Sequence, residues 1–258
     1  MGRTTEAVKW SVDDGIGTIR LAREHGNAIN GDLVEALLAG FQRAEEDPEV
    51  RGVLLTASGK LFCPGLDLQE LTVHDRPTMS RFLGRFSTCL LKMFDFPKPV
   101  VAALGGHALA GGCVLALTTD WRLLREGAMI GLNEVMVGVP LPYGVSQILH
   151  ETVRTPQMEE VALRGGNYSD DEAVAAGLVH EVHRGEGIEE RAVERLGELM
   201  SKDPRAYSIT KRYLRSSTVE RIQAKDDLFQ EEFLDCWFSE ETRARIRSIV
   251  ADLKAKSR

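Results

Sequence analysis

The chain has 258 residues, 43% of them hydrophobic and 28% charged, which is the balance of one large globular domain. Its formal charge of -7 provides no general attraction to nucleic acid or to anionic lipid, so we expect neither as a partner. The segment 1–10 lacks the hydrophobic core of a signal peptide, and no later apolar run approaches the length of a membrane span. We therefore expect a soluble, cytoplasmic protein.

The four cysteines are widely separated, and they form neither a C-x-x-C pair nor a cluster with histidine. They lie in apolar or glycine-rich surroundings at Cys63, Cys89, Cys113 and Cys236. This pattern is typical of buried thiols in a reducing compartment, and it predicts no disulfide and no metal site.

The first half of the chain alternates short β-type runs with amphipathic helical patterns. Apolar runs at 8–12 and 16–22 flank the turn residues 13–15, which predicts a hairpin. Periodicity predicts further strands at 53–57, 99–104, 121–124 and 128–130, and helices at 32–46, 80–94 and 113–118. Such alternation predicts an α/β layered fold whose sheet is covered by helices.

Beyond about Tyr143 the β signal nearly vanishes. We expect one short strand at 178–182, and helices at 145–152, 157–163, 170–176, 188–200, 204–215 and 219–251. With no linker in between, the chain is best divided into a core, 1–195, and a helical C-terminal region, 196–258. Apolar residues there predict either an oligomer interface or intrachain core, and they are Leu228, Phe229, Phe233, Trp237 and Phe238.

Two glycine-containing turns are candidates for ligand contact. The segment 61–68 (Leu-Phe-Cys-Pro-Gly-Leu-Asp-Leu) forces a tight turn that leaves a backbone N–H free to face a cleft. The segment 105–112 joins an apolar strand to an apolar helix, so a ligand can approach its backbone and a helix N-terminus closely. Its spacing is not that of a nucleotide phosphate loop. Taken singly, an ordinary loop and tight packing remain alternatives.

The third feature is Ile-Gly-Leu-Asn-Glu at 130–134, which puts Glu134 directly after an apolar strand. Desolvation among apolar neighbours raises the pKa of a carboxyl group, which suits a general base that must also hold its proton briefly. A charged residue at the start of a helix is the alternative.

These three stretches, together with 27–30 (Asn-Ala-Ile-Asn) and 169–179, resemble the enoyl-CoA hydratase/isomerase (crotonase) superfamily over nearly the whole chain. The resemblance implies a crotonase-like fold of repeated ββα units with a helical C-terminal extension. It also implies an acyl-CoA thioester substrate, a homotrimer or a hexamer built as a dimer of trimers, and no metal or redox cofactor.

The family's site residues carry over by motif. The backbone N–H groups of Leu66 and Gly111 match the oxyanion hole, where each fixed donor lowers the barrier by roughly 2.7–4 kcal/mol. Glu134 matches a catalytic carboxylate, and the backbone around Ala28 and Leu68 matches the contact with the adenine side of CoA.

Three kinds of polar side chain remain to be interpreted. Arg23 is a candidate for binding the CoA phosphates, with basic residues on a C-terminal helix as further candidates or as a solvated face, namely Lys211, Arg212 and Arg215. His107 has no nucleophile beside it, which predicts a structural imidazole. Asp67 is expected to cap the next helix. The segment 74–76 is expected in a loop near the acyl end of the cleft, with no catalytic role.

The choice of reaction depends on Val114. Hydratases of this superfamily carry two glutamates, and Val114 occupies the position that matches the first, so one carboxylate is left. One carboxylate can move a proton from C2 to C4, which predicts a 3-enoyl-CoA to trans-2-enoyl-CoA isomerase. The residues of the motifs also resemble most closely those of the Δ3,Δ2-enoyl-CoA isomerase subgroup. Hydration, thioester hydrolysis and a non-catalytic CoA-binding or scaffold role remain alternatives.

The segment 140–144 (Pro-Leu-Pro-Tyr-Gly) departs from the subgroup. Tyr143 either points into the site, where it would favour a polar or aromatic acyl group, or caps a turn, which we favour.

Overall fold

A computed structural model of the protein describes residues 7–24, 26–154 and 156–256. Most of the expectation for 1–10 therefore concerns residues outside the described ranges. Within those ranges, no helix combines the length and apolar character that crossing a membrane requires.

Ten strands are present in the described chain. They are β1 Val8–Asp13, β2 Ile16–Leu21, β3 Gly52–Ala57, β4 Leu61–Cys63, β5 Val100–Leu104, β6 His107–Leu109, β7 Trp121–Arg125, β8 Met129–Gly131, β9 Tyr168–Ser169 and β10 Glu181–His183. The predicted hairpin is confirmed, because β1 and β2 pair in antiparallel register across the turn at 14–15.

Eleven helices complete the described elements. They are α1 Gly31–Glu46, α2 Leu68–Leu71, α3 Arg76–Phe94, α4 Gly111–Leu117, α5 Glu134–Val137, α6 Tyr143–Thr152, α7 Gln157–Arg164, α8 Asp170–Ala175, α9 Ile188–Met200, α10 Pro204–Phe238 and α11 Glu240–Lys256. The segment 74–76 is not wholly a loop, since Asp75 accepts a hydrogen bond from the Thr78 N–H and caps α3, which begins at Arg76.

The strands form two sheets. The larger has the order β1-β2-β3-β5-β7-β10 and is parallel apart from the hairpin; the smaller has the order β4-β6-β8-β9, with β9 antiparallel. The pairs β3/β4, β5/β6 and β7/β8 each send their first strand to the larger sheet and their second to the smaller. A helix follows each pair, so the predicted repeat of ββα units is confirmed.

Both faces of the larger sheet are covered, as a parallel sheet requires. On one face, Leu54, Val101 and Leu123 pack against Ala192 and Leu196 of α9. The other face belongs to the main core, which the smaller sheet, α1, α3 and α10 complete. The predicted boundary between residues 195 and 196 falls inside α9, and the division into two regions stays a prediction.

The two C-terminal segments predicted as helices are helical, but the predicted position of the break between them is wrong. Helices at 204–215 and 219–251 were expected, but α10 is continuous across the segment between them, and the break lies at Ser239. Thr218 favours continuity because its hydroxyl donates to the Glu151 carboxylate at 3.0 Å inside the packed face. Ser239 instead accepts a hydrogen bond from the Thr242 N–H and starts α11.

A buried ion cluster attaches α10 to the sheets. Asp120, just before β7, accepts from Lys211 Nζ at 2.8 Å, from Arg215 Nη2 at 2.9 Å and from the Val100 N–H at 2.8 Å. The side chains of Asp120, Lys211 and Arg215 are 10%, 7% and 12% exposed. Removing one member leaves the others buried without their counter-charge.

We therefore expect Asp120→Asn to lower the free energy of unfolding by about 3–5 kcal/mol, measured by urea denaturation. Asp171→Asn is the matched control, because Asp171 pairs with Arg184 at the surface with 87% of its side chain exposed. That change should cost less than about 1 kcal/mol. Equal losses in the two variants would contradict the role given to the buried cluster.

Candidate active site

A cavity of about 1130 Å³ lies where the ends of the smaller sheet meet the C-terminal helices. Polar side chains line one part of it, namely Arg23, Asp67, Gln69, Glu70 and Lys254. Apolar side chains line another part, namely Leu83, Phe86, Val137, Val139, Val145, Phe233, Trp237 and Ile249. The segments singled out in the sequence, around 28, 66–68, 109–111 and 133–134, also line this cavity.

Two of the predicted turns approach each other at backbone distance. A side-chain carbon added at Gly65 would lie 2.9 Å from Ala110 Cβ and 3.4 Å from the Gly111 nitrogen, so only glycine fits there. Its φ of +104° has the same consequence. The turn that contains Gly65 and the turn that contains Gly111 therefore lie side by side at the cavity. Leu66 and Gly111 both line it.

The backbone N–H groups of Leu66 and Gly111 have no acceptor within the described ranges. The neighbouring donors are engaged: Asp67 N–H bonds to Ile29 O at 2.8 Å, and Ala110 N–H bonds to Gly131 O at 2.8 Å. Both residues line the cavity, so an acceptor placed in the cavity can complete these two N–H groups.

Glu134 begins α5 directly after β8 and lines the same cavity. Its Oε2 is buried and has no hydrogen-bond partner in the described chain. Burial without a nearby cation raises the pKa of Glu134 to about 7, against a small opposing effect of its own backbone N–H. A carboxyl group with that pKa can both take up and release a proton near neutral pH.

Val114 and Asn133 share the cavity with Glu134. Val114, on the first turns of α4, is 1% exposed and lines the cavity. Asn133, the residue before Glu134, also lines the cavity and is polar. Its side chain makes no capping hydrogen bond to α5. Sequence reasoning had not singled out Asn133.

The segment 27–30 fixes the wall on the other side of Leu66. Asn27 donates to Leu61 O at 3.2 Å and Phe62 O at 3.1 Å, and Asn30 caps α1 by accepting from the Leu33 N–H. Ile29 pairs with Leu66 in a short parallel bridge. Ala28 and Leu68 both line the cavity, as the sequence predicted for substrate-binding positions.

The structure changes the interpretation of Arg23. Its guanidinium bonds to Asp67 at 2.8 Å and to Glu70 at 3.1 Å, and it also donates to Ala28 O at 2.9 Å. Arg23 lines the cavity, but two carboxylates already offset its charge in this arrangement. Its evident role is to hold the segment around Ala28 against α2.

Two of the basic residues predicted on α10, Lys211 and Arg215, are already paired within the chain. Lys211 and Arg215 belong to the buried Asp120 cluster, and none of Lys211, Arg212 and Arg215 lines the cavity. Neither alternative from the sequence holds for Lys211 and Arg215, since they are neither phosphate ligands nor a solvated face. Lys254 of α11 is the lysine that does line the cavity.

Two smaller predictions, for His107 and Asp67, are confirmed, whereas Tyr143 begins a helix instead of capping a turn. The ring of His107 is structural, because its Nδ1 accepts from the Met129 N–H at 3.0 Å. Asp67 caps α2 by accepting from the Glu70 N–H. Tyr143 starts α6, stacks on Phe229 with ring centroids 4.8 Å apart, and does not line the cavity that holds Glu134.

The cysteines also match their prediction. Cys63, Cys89 and Cys113 are buried free thiols, and Cys236 is a half-buried one. Desolvation raises the pKa of Cys63 to about 12, so it is not a thiolate near neutral pH. Within the described ranges, no group of three or more histidine, cysteine or acidic residues has the geometry to hold a metal ion.

The C-terminal residues of the cavity were not predicted as site residues. Phe233 and Trp237 of α10 are 3% and 1% exposed and line the cavity, so both lie inside the chain, as one of the two alternatives had it. Leu228 is 71% exposed. The signal that was available is the spacing of Phe229, Phe233 and Trp237 four residues apart on an otherwise charged helix.

A buried carboxylate that shares a cavity with two adjacent unpaired backbone donors defines a class of site. The carboxylate of such a site can move a proton at a carbon next to a carbonyl group. The two N–H groups can donate hydrogen bonds to the oxygen of that carbonyl group.

Comparison with known proteins agrees with this class. Residues 11–247 match the family described as Enoyl-CoA hydratase/isomerase. Human mitochondrial enoyl-CoA delta isomerase 1 is 26% identical over 223 residues, covering 85% of this chain and 74% of that protein. A probable enoyl-CoA hydratase of Bacillus subtilis (strain 168) is 26% identical over 250 residues, covering 96% and 97%.

The fold comparison gives the same result. The crystal structure of human mitochondrial delta3-delta2-enoyl-CoA isomerase aligns with a TM-score of 0.93 and 24% identity, covering 97% of this chain and 99% of that one. The protein is thus an enzyme of the enoyl-CoA hydratase/isomerase family, the crotonase superfamily.

The raised pKa of Glu134 has a measurable effect on stability. Its pKa is about 7 in the folded state and near 4.5 when unfolded, so the folded state loses stability as pH rises between these values. We expect Glu134→Gln to stabilise the protein by on the order of 3 kcal/mol above pH 7 and to change little below pH 4.5. Urea denaturation at several pH values measures this. A gain that does not depend on pH would contradict the burial of the charge.

Proposed function

We propose that the protein isomerises 3-enoyl-CoA thioesters to trans-2-enoyl-CoA with Glu134 as the single proton carrier, a reaction of fatty-acid β-oxidation. The observation that carries the proposal is the pairing of one buried carboxylate with an apolar residue, Val114, at the position where a second carboxylate would hold water. An isomerase needs a proton shuttle, whereas a hydratase must also orient and activate a water molecule.

The chemistry follows from the residues in the cavity. The Glu134 carboxylate removes a proton from C2, and the electron pair of that bond moves toward C1, leaving a dienolate with negative charge on the thioester oxygen. The N–H groups of Leu66 and Gly111 donate to this oxygen, and we assign them as the oxyanion hole. Glu134 then returns the proton to C4, and the double bond lies between C2 and C3.

The apolar wall also matters to the outcome. Val114 and Leu109 line the cavity together with Glu134 and provide no hydrogen bond to a nucleophilic water. Exclusion of water keeps the carboxylate basic and protects the dienolate and the product from side reactions.

Binding of the CoA portion is proposed at the polar part of the cavity. The backbone around Ala28 and Leu68 supplies the contact with the adenine side, and Lys254 is in a position to face a phosphate where Arg23 is already paired. The reaction as proposed uses neither a metal ion nor a redox cofactor.

A homotrimer or a hexamer in the cytoplasm remains a prediction. Apolar side chains on the outer side of α10 agree with an oligomer, since Tyr213 is 73% exposed and Leu214 is 65% exposed. The similarity to both isomerases and hydratases makes hydration the second candidate reaction.

The test is to incubate the purified protein separately with a trans-3-enoyl-CoA and a trans-2-enoyl-CoA and to follow the absorbance of the conjugated thioester. We expect a rise with the first substrate and no change with the second. Glu134→Gln should lower kcat by at least about a hundredfold, because a general base contributes 10²- to 10⁴-fold.

The matched control is Glu46→Gln, an exposed carboxylate at the end of α1, which should keep full activity. Falling absorbance with the 2-enoyl substrate would establish hydration in place of isomerisation. Release of free CoA thiol would establish hydrolysis. Inactivity on both substrates together with binding of free CoA would favour the scaffold role.

The pH dependence of the same reaction tests the state of Glu134. Because the base acts as a carboxylate and its pKa is about 7, kcat/KM should rise with pH below about 7 and level off above it. A pH–rate profile with a short 3-enoyl-CoA measures this. A profile that is already flat at pH 5 would show that Glu134 is not desolvated in the working enzyme.

A further inference from the structure

A second, smaller chamber adjoins the apolar part of the active-site cavity. Its volume is about 330 Å³, which is within the range of ligand pockets in proteins. It lies between α3, α6 and α10. The residues that line both spaces, and therefore form the wall between them, are Leu83, Phe86, Pro142, Val145 and Phe233.

The chamber is lined mainly by apolar side chains, including Leu90, Ile148, Ile222 and Phe229. Two carboxylates line it: Asp226 accepts from the Ser87 hydroxyl and from the Gly144 N–H at 2.8 Å, and Glu232 is exposed to solvent. Tyr143 also lines it, with its ring stacked on Phe229. Gln230 is likewise engaged, since it donates to the Ser80 hydroxyl at 2.7 Å. Most of the lining is apolar, and the polar groups of Asp226 and Gln230 are paired within the chain, so the chamber is suited to a hydrocarbon.

The wall consists of side chains and not of a hydrogen-bonded sheet. Phe86 comes from α3 and stacks on Phe82, while Phe233 comes from α10 and stacks on Trp237. Both rings can change rotamer without breaking a backbone hydrogen bond. A chain that reaches the wall can therefore pass between the two spaces when these rings turn.

We propose that this chamber binds the distal end of a long, unbranched acyl chain, with Phe86 and Phe233 as the gate. The inference rests on the proposed function only in taking the substrate to be an acyl-CoA. The order of groups along such a thioester is the nucleotide, the carbonyl and the tail. The cavity offers a surface for each of them: polar residues that include Lys254, the pair Glu134 and Leu66, and the apolar residues that it shares with the chamber.

Burial of a methylene group in an apolar site strengthens binding about fourfold. Affinity for saturated acyl-CoA thioesters should therefore keep rising with chain length until both spaces are filled. Saturated thioesters cannot be isomerised, so calorimetric titration from butanoyl-CoA to hexadecanoyl-CoA measures the chamber without depending on turnover.

Ser146 allows the chamber to be filled selectively. It lines the chamber and not the active-site cavity, and its hydroxyl donates only locally, to Tyr143 O at 2.7 Å. Ser146→Phe should bind butanoyl-CoA as the unmodified protein does but lose the gain for the longest chains, at least tenfold. Ser146→Ala, the matched control, should keep the full rise.

A second measurement does not require a variant to fold. In a crystal structure of the unmodified protein with hexadecanoyl-CoA, the terminal methyl group should contact Ile222 or Phe229. A tail that leaves the cavity to solvent, or a side chain from a second copy in the chamber, would overturn the proposal. Identical chain-length profiles for Ser146→Phe and Ser146→Ala would do the same.

Failure of this inference and failure of the proposed function give different results. If the protein isomerises short 3-enoyl-CoA but shows no rise in affinity with chain length, the proposed function is supported and the acyl-binding role of the chamber is refuted. If the protein binds long chains through the chamber but isomerises no substrate, the role of the chamber is supported and the proposed function is refuted. Absence of binding at every chain length would refute both.

Discussion

The close approach of backbone segments in the smaller sheet is the constraint on which the rest of the structure depends. A side-chain carbon at Gly112 would lie 2.1 Å from Cys63 O, one at Gly106 would lie 2.2 Å from Lys60 O, and one at Gly131 would lie 2.3 Å from Gly166 O. Glycine is therefore required at these three positions. These contacts bring the turn that carries Leu66 against the turn that carries Gly111, and they position Glu134 beside both.

The electrostatics of the site result from what surrounds Glu134. Arg23, which lines the same cavity, is paired with Asp67 and Glu70. One oxygen of Glu134 is buried without a hydrogen-bond partner among the described residues, and this desolvation raises the pKa of Glu134 to about 7. The same burial that makes the carboxylate a useful base also destabilises the folded protein, a common trade-off at active sites.

The C-terminal helices have a structural and a functional role at once. α10 is attached to the sheets through the Asp120 cluster at its first half and presents Phe233 and Trp237 to the cavity at its second half. α11 then returns over the cavity, where Thr242 donates to Gly138 O at 3.0 Å and Arg243 donates to Thr72 O at 2.6 Å. Acyl binding and packing of the C-terminal region therefore share the same side chains.

The sequence by itself predicted the hairpin and most helices, and the family resemblance of its motifs implied the ββα repeat and a shared site for Leu66, Gly111 and Glu134. These features depend on local periodicity and on motifs whose residues lie close together in the chain. Only the tertiary structure decided that Arg23 and Lys211 are paired, that α10 is continuous past Thr218, and that Trp237 reaches the cavity of Glu134. Those outcomes depend on contacts between residues far apart in sequence, and local patterns carry no information about which distant partner a side chain will meet.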